Sequence, residues 1–295
     1  LADKVLHCYH NREQLTKESE TITTIVKKNF TTNVQSPKIL EIIEQYYDKE
    51  ECVLTEGPVV AVMTHIYYDD SWEEIKTKLK HFDNGINYFF FSISEACLIK
   101  EKIVRDIKDS FSNAYALITS NIGKDIGGKF VLIDLYLTLG IHPDYIIFLH
   151  DKKSPQTLVG ESWKNNLYKI IDPSYYKSIL KAFQNNSAGI VGAKEHIMNE
   201  YNRETRRFVH NNDISHRFLK KYGISIDNYE FLSGTMYWLK ASIIEDFFSM
   251  YNPISFRKDL EAGNVLDNHD GTVAHTWERM FCWITTNYGY SIIGI

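Results

Sequence analysis

Cysteine is scarce in this 295-residue chain. Only Cys8, Cys52, Cys97 and Cys282 occur, with no Cys-x-x-Cys spacing. That argues against a disulfide-stapled scaffold or a thiolate metal site, and reduced packing cysteines in a cytoplasmic protein are expected. Basic residues are not in excess: Lys and Arg total 33 against 38 Asp and Glu, a formal net charge of -5. A general nucleic-acid binder, whose affinity comes from phosphate neutralisation by Lys and Arg, does not fit that balance. An anionic small ligand would therefore need a local basic pocket. No apolar run approaches a membrane span of about 20 residues; at most, the protein is expected to lie against the inner face of a membrane. The helix-borne His-Glu-x-x-His pair is also missing, which weakens a metal hydrolase built from His150, Asp151, His269 and His275. The opening residues do not read as a secretory leader, and the first is Leu rather than Met. A trimmed or modular piece of a longer, multidomain chain is expected.

What the chain does have is length enough for a sizeable core and many aromatics, 19 Tyr and 16 Phe, suited to a core and to sugar-stacking surfaces. Residues 1–56 read as polar and helical, an extension or linker with no strong catalytic constellation. From Gly57-Pro58 the character changes. Apolar runs at Val59–Thr64, Ile86–Ser92, Tyr115–Thr119 and Tyr145–Leu149 alternate with helical periodicity over Trp72–Phe82, Ile99–Phe111 and Gly127–Leu139. Ser71 and Glu74 read as a capping box for the first of these helices. The alternation predicts an α/β domain over 57–295 with a mostly parallel sheet, right-handed crossovers and flanking helices. Helices are expected over 162–171 and 174–183, a strand over 188–192, irregular chain over 194–227, one strand over Phe231–Leu239 and a last helix over Thr272–Thr286.

Two stretches carry the most chemical information: Asn121-Ile-Gly-Lys-Asp-Ile-Gly-Gly128, and Tyr145-Ile-Ile-Phe-Leu-His-Asp-Lys-Lys-Ser154. A glycine-rich polar turn opens a helix, and an apolar strand then releases His150, Asp151, Lys152 and Lys153 together. Helix starts favour anions, and ligands of α/β sheets gather at the carboxyl ends of strands. A phosphate-bearing ligand fits; so does a capped helix followed by solvated lysines.

Asn121-x-Gly123 before the third helix resembles nucleotide-sugar transferases of the GT-A type, in which the next strand ends in an acidic D-x-D that holds a metal. Four segments resemble the rhamnan synthesis protein F family of glycosyltransferases. They are Asn121–Gly127, Leu149-His-Asp-Lys-Lys-Ser154, Leu232-Ser-Gly-Thr-Met-Tyr-Trp238 and Asp270-Gly-Thr-Val-Ala-His-Thr-Trp-Glu-Arg279, spread over roughly 57–290. The resemblance implies a GT-A-like Rossmann-type fold. It also implies transfer of a sugar, for instance L-rhamnose from dTDP-L-rhamnose, to a polysaccharide or glycolipid acceptor, with inversion.

Carried onto this sequence, the resemblance assigns roles by position. His150-Asp151-Lys152 stands where D-x-D would fall, and a hard divalent cation would lose its pair of acidic ligands there. Lys152 or Lys153 would then supply charge to the departing diphosphate. No cofactor is firmly implied, while Mn or Mg held by Asp151 and His150 stays open. Asp125 is either a helix cap or a sugar-hydroxyl ligand. Gly123, Gly127 and Gly128 allow close approach of a ligand or of the sheet. His65, Tyr67 and Ser94, at the ends of the first two strands, are candidates for the nucleoside. In Ser233–Trp238, Gly234, Met236 and Trp238 would shape the donor sugar and acceptor pocket, or belong to a strand of core aromatics. An inverting transferase needs a carboxylate to take the acceptor proton. Asp270, read as the N-cap of the last helix, is the first candidate and Glu278 the second, with His275 orienting the base or binding acceptor. The competing reading is a non-catalytic carbohydrate- or nucleotide-binding module of a larger biosynthetic protein.

Overall fold

The computed structural model describes Lys17, Glu20 and residues 57–152, 160–184, 187–209, 212–265 and 271–295. The chain divides into two compact units, Leu1–Gly57 and Pro58–Ile295. The predicted helices of residues 1–56 lie outside the described residues, apart from Lys17 and Glu20, as do Lys153 and Asp270.

The unit opens with β1 (Val60–Ile66), α1 (Trp72–Leu79), β2 (Tyr88–Ser94), α2 (Lys100–Ser110), β3 (Ala114–Thr119), α3 (Lys124–Thr138) and β4 (Tyr145–His150). These strands are parallel, in the order β3-β2-β1-β4. They read as continuous apolar runs because both faces are covered. Along β1, Ala61 and Met63 face one hydrophobic cluster, while Val60, Val62 and Ile66 face the other. Next come α4 (Gly160–Leu167), α5 (Pro173–Gln184) and β5 (Ala188–Gly192). The first cluster takes the buried faces of α3 and of later helices, the second those of α1, α2 and α5.

The region expected to be irregular holds short structure: β6 (Ile197–Asn199), β7 (Tyr201–Asn202), β8 (Arg207–Phe208) and α6 (Asn212–Lys221). The strand expected over 231–239 is two strands, β9 (Glu230–Leu232) and β10 (Tyr237–Lys240), belonging to different sheets. Gly234 (φ 91°) and Thr235 (φ 48°) break the run between them, a left-handed turn that no strand accommodates. β10 is antiparallel to both β4 and β5. α7 (Ala241–Met250), α8 (Pro253–Arg257) and α9 (Val273–Asn287) follow, and β11 (Ser291–Gly294) pairs in parallel with β5. The main sheet thus has seven strands in the order β11-β5-β10-β4-β1-β2-β3.

Two local expectations are corrected. Ser71 makes no side-chain cap bond at α1, because its hydroxyl bonds the Asp151 carboxylate (2.7 Å) instead. The N-cap of α9 is Thr272, not Asp270: its Oγ1 accepts the His275 N–H at 3.2 Å.

Among the described residues no helix is long and apolar enough to cross a membrane.

Candidate functional site

The strand order reverses at β1. From it the chain steps outward through β2 and β3, then returns to lay β4 on β1's other edge. Ligand crevices of open α/β sheets form outside the carboxyl ends of strands at such a point. Here those ends are His65 and His150, directly opposite each other in the register.

Both histidines are buried, His65 at 3% and His150 at 7% exposure. His65 Nδ1 pairs with the Ser92 hydroxyl at 2.8 Å, while its Nε2 has no protein partner. Burial lowers its pKa to about 4. Helix α3 reaches this pair because residue 128 is glycine: a Cβ there would sit 2.3 Å from His65 Nδ1 and 2.6 Å from Ser92 Oγ. Burial likewise holds the His150 imidazole well below its usual pKa, against the pull of Asp125.

The first two turns of α3 supply the charged centre. Asp125 and Lys129 stand at the i,i+4 spacing that brings side chains together on one helix face. The Asp125 carboxylate oxygen Oδ2 accepts from Lys129 Nζ at 2.6 Å and from the Thr235 hydroxyl at 2.9 Å. It also lies 3.4 Å from His150 Nδ1. Lys129 has no exposed surface, and its Nζ is 3.4 Å from the same imidazole nitrogen. Burial alone would raise the Asp125 carboxyl, yet Lys129, His150 and the two hydrogen bonds hold it well below the usual carboxylate range. Burial lowers the Lys129 ammonium in turn, opposed by Asp125. Asp125 is therefore an ionised, cross-braced carboxylate and not a helix cap. The N-cap of α3 is Gly123 at φ 71°. A Cβ there would lie 2.2 Å from Leu260 Cδ1.

The turn ahead of α3 is already engaged. Gly123 N–H donates to the Glu261 carbonyl at 2.7 Å, and Gly263 N–H to the Asn121 carbonyl at 2.8 Å. The Asn121 side chain donates to Asn264 Oδ1 (3.1 Å), and Asn264 in turn to the Tyr67 hydroxyl (2.8 Å). Ser94 bonds the Ala96 N–H (3.2 Å) and is fully buried.

Asp151 and His150 are directed to different partners. Asp151 Oδ2 accepts the N–H groups of Tyr67 (2.9 Å) and Tyr68 (2.6 Å) and the Ser71 hydroxyl. It ties the loop after β1 to the end of β4, and burial raises its carboxyl to about 6 despite those bonds. The pair thus does not form the oxygen-rich set that a hard divalent cation takes. Among the described residues no group of three His, Cys, Asp or Glu is arranged to hold a metal.

Across from this centre stands α9. Glu278 Oε1 accepts the Gly234 N–H, and Oε2 lies 3.3 Å from Arg279 Nη1. Arg279 is committed chiefly to a buried pair with Glu200 (Nε to Oε2, 2.9 Å). His275 Nδ1 lies 2.5 Å from the Thr272 hydroxyl.

A cavity of about 140 Å³ is lined by residues of both, among them Asp125, His150 and Lys152 together with Gly234, Thr235, His275 and Glu278. Of the residues singled out in the sequence, Gly123 also lines it. Met236 and Trp238 do not: both are core residues at 1% and 0% exposure, and the Trp238 indole donates to the Ile170 carbonyl at 2.7 Å. Thr235 and Lys129 were not legible as site residues. Only the i,i+4 spacing of Asp125 and Lys129 on the third helix bears on the second.

No curated protein matches the chain. A solved structure similar to it is that of the mannosyltransferase PcManGT from Pyrobaculum calidifontis in complex with GDP-Man and Mn2+, with 11% identity and a TM-score of 0.39. The match covers 94% of this chain and 66% of that one, so this chain spans about two thirds of that protein's length. The family model for rhamnan synthesis protein F matches residues 12–290, nearly the whole chain. It reaches well into the N-terminal segment that the four sequence motifs left outside. The chain belongs to the rhamnan synthesis protein F family.

Proposed function

We propose that the protein is a glycosyltransferase that moves a sugar from a nucleotide-diphosphate donor to a glycan or glycolipid acceptor. One observation carries the reading: a single cavity at the switch point brings Asp125, His150 and Lys152 together with the Glu278 carboxylate. A transferase needs both, polar charged groups for the activated sugar and its diphosphate, and a carboxylate for the acceptor proton. The family supports the same class. By the sequence resemblance the donor is an activated deoxysugar such as dTDP-L-rhamnose.

In this reading Asp125, held ionised by Lys129 and His150, accepts hydrogen bonds from donor sugar hydroxyls. Lys152 pairs with the diphosphate, and Lys153 is a second cation for the same group. The acceptor hydroxyl oxygen attacks the anomeric carbon while the bond from that carbon to the diphosphate oxygen breaks. The nucleoside diphosphate leaves with the bonding pair, and the hydroxyl proton passes to a carboxylate. We assign that proton to Glu278, whose oxygens each keep a lone pair beyond their present bonds; Asp270 is the second candidate. Attack from the face opposite the leaving group inverts the anomeric centre.

The test is a thermal-shift panel of dTDP, UDP, GDP and CDP, each with Mn2+ and with a chelator. One diphosphate should stabilise the fold by mass action, and the shift should survive the chelator. No shift with any nucleotide overturns the transferase reading in favour of a non-catalytic module. With the donor known, Glu278→Gln should lose transfer and keep the shift. Retained turnover in that variant, with loss in Asp270→Asn, moves the base to Asp270; retention in both removes the carboxylate-base mechanism.

A further inference from the structure

A second cavity, about 290 Å³, lies against the first. The two share Lys152, Gly234, His275 and Glu278, so Glu278 borders both. A carboxylate that takes a proton from one substrate while another loses its leaving group must touch both binding spaces.

Its lining differs in kind from the first. Trp163, Met198, Val209 and Phe231 give it apolar surface, and Asn199 and Ser233 give it hydrogen-bonding groups. Met198 is 52% and Val209 56% exposed, although both are apolar. Met198 pairs with Phe231 in the β6–β9 ladder, so both apolar side chains are carried to this cavity by backbone hydrogen bonds. Trp163 stacks on His196 at 5.5 Å with an 18° interplanar angle. The Trp163 indole N–H and His196 Nε2 are both buried without a protein partner, a cost that a native fold rarely carries without a ligand or solvent to meet it. An apolar platform with a few hydrogen-bonding groups at its rim suits a molecule with one apolar face and a polar edge. A pyranose ring is such a molecule.

We propose that this second cavity is the acceptor subsite, taking the terminal sugar of a glycan against Trp163 and Met198 and presenting its hydroxyl to Glu278. The assignment rests on the transferase reading. Lys152 couples the two cavities. Its ammonium lies 5.1 Å from the centre of the Trp163 ring, and pairing with a donor diphosphate draws it off the indole. Sugar binding therefore tightens when the diphosphate is present.

Tryptophan emission tests this directly, because Trp72, Trp238, Trp277 and Trp283 are all 2% exposed or less and Trp163 is partly exposed. The probes are methyl glycosides of L-rhamnose, D-glucose, D-galactose and N-acetyl-D-glucosamine. One should shield the emission from acrylamide, more strongly with the stabilising nucleoside diphosphate added. Trp163→Phe should abolish the shielding. Met198→Glu, at an exposed position that does not threaten folding, should weaken it about tenfold. In Met198→Glu the thermal shift with diphosphate should be unchanged. A diphosphate shift without shielding by any glycoside overturns the acceptor site and leaves the transferase reading standing. Shielding that persists in Trp163→Phe also overturns it. Loss of the diphosphate shift in the wild-type protein is the separate failure of the underlying reading.

Discussion

Lys129 is a charged side chain with no accessible surface, and Asp125, one turn before it, is what makes that tolerable. Burying two charges costs several kcal/mol each, which their attraction offsets only with good geometry and further hydrogen bonds. Asp125 has both, at 2.6 Å from Lys129 and 2.9 Å from Thr235. The sign of the resulting prediction depends on which charge is removed. Asp125→Ala strands an ammonium in the core and should cost about 3–5 kcal/mol in urea unfolding at neutral pH. Asp125→Ala/Lys129→Met removes both charges and should recover a substantial part of that loss, although the donor site stays empty of its carboxylate. A double variant no more stable than Asp125→Ala would show that the buried pair does not set the energetics here.

Helix α9 is held at its start by two residues of different origin. Thr272 caps it locally, while the Glu261 carboxylate reaches in from the preceding loop to accept the N–H groups of Val273 (2.6 Å) and Ala274 (3.1 Å). The backbone carbonyl of Glu261 meanwhile accepts from Gly123 at the start of α3. Glu261 thus ties together the two helices that carry Asp125 and Glu278. Thr272→Ala should cost about 1 kcal/mol, the usual worth of an N-cap. Glu261→Ala should cost more, about 1–3 kcal/mol, because it frees two donors at a positive helix end; equal losses in thermal unfolding would deny it that bridging role. This bridge was not legible in the sequence, because a carboxylate's partner twelve residues away leaves no periodic trace. The parallel core was legible, since strands covered on both faces must be apolar throughout. Strands of two or three residues such as β7 and β9 carry too few positions for a period. The break at Gly234-Thr235 was hidden inside a stretch that otherwise alternates like one strand. At the site, His150 and Lys152 stood out because polar groups released together at the end of an apolar strand are conspicuous, Asp125 because it follows the glycine turn, and Glu278 because it lies in a segment that resembles the family. Trp163 and Thr235 did not, because their position depends on tertiary folding alone.

Over the whole molecule, the switch point makes stability depend on pH in two opposing ways. His65 is lowered to about 4 from an ordinary value of 6.5. The unfolded chain therefore binds a proton there first. Its contribution is fully present above pH 6.5 and is lost as pH falls toward 4, worth about 3 kcal/mol when complete. His150, lowered as well, acts in the same direction. Asp151 runs the other way: raised to about 6 from 3.8, its contribution is fully present below 3.8 and is lost as pH rises through 6, again about 3 kcal/mol. In the wild-type protein the two partly cancel between pH 4 and 6.5, and the variants separate them. His65→Asn lowers stability at every pH through its lost packing, yet its unfolding free energy should fall less steeply on acidification than that of the wild type. Asp151→Asn should fall more steeply, since the carboxyl that gains from protonation is gone. Denaturant unfolding at half-unit steps of pH reads these slopes, independently of the absolute loss in either variant. Parallel curves for all three proteins would mean that neither group changes its protonation on folding. The strand ends would then lack the water-poor, charge-braced environment from which the donor site is argued.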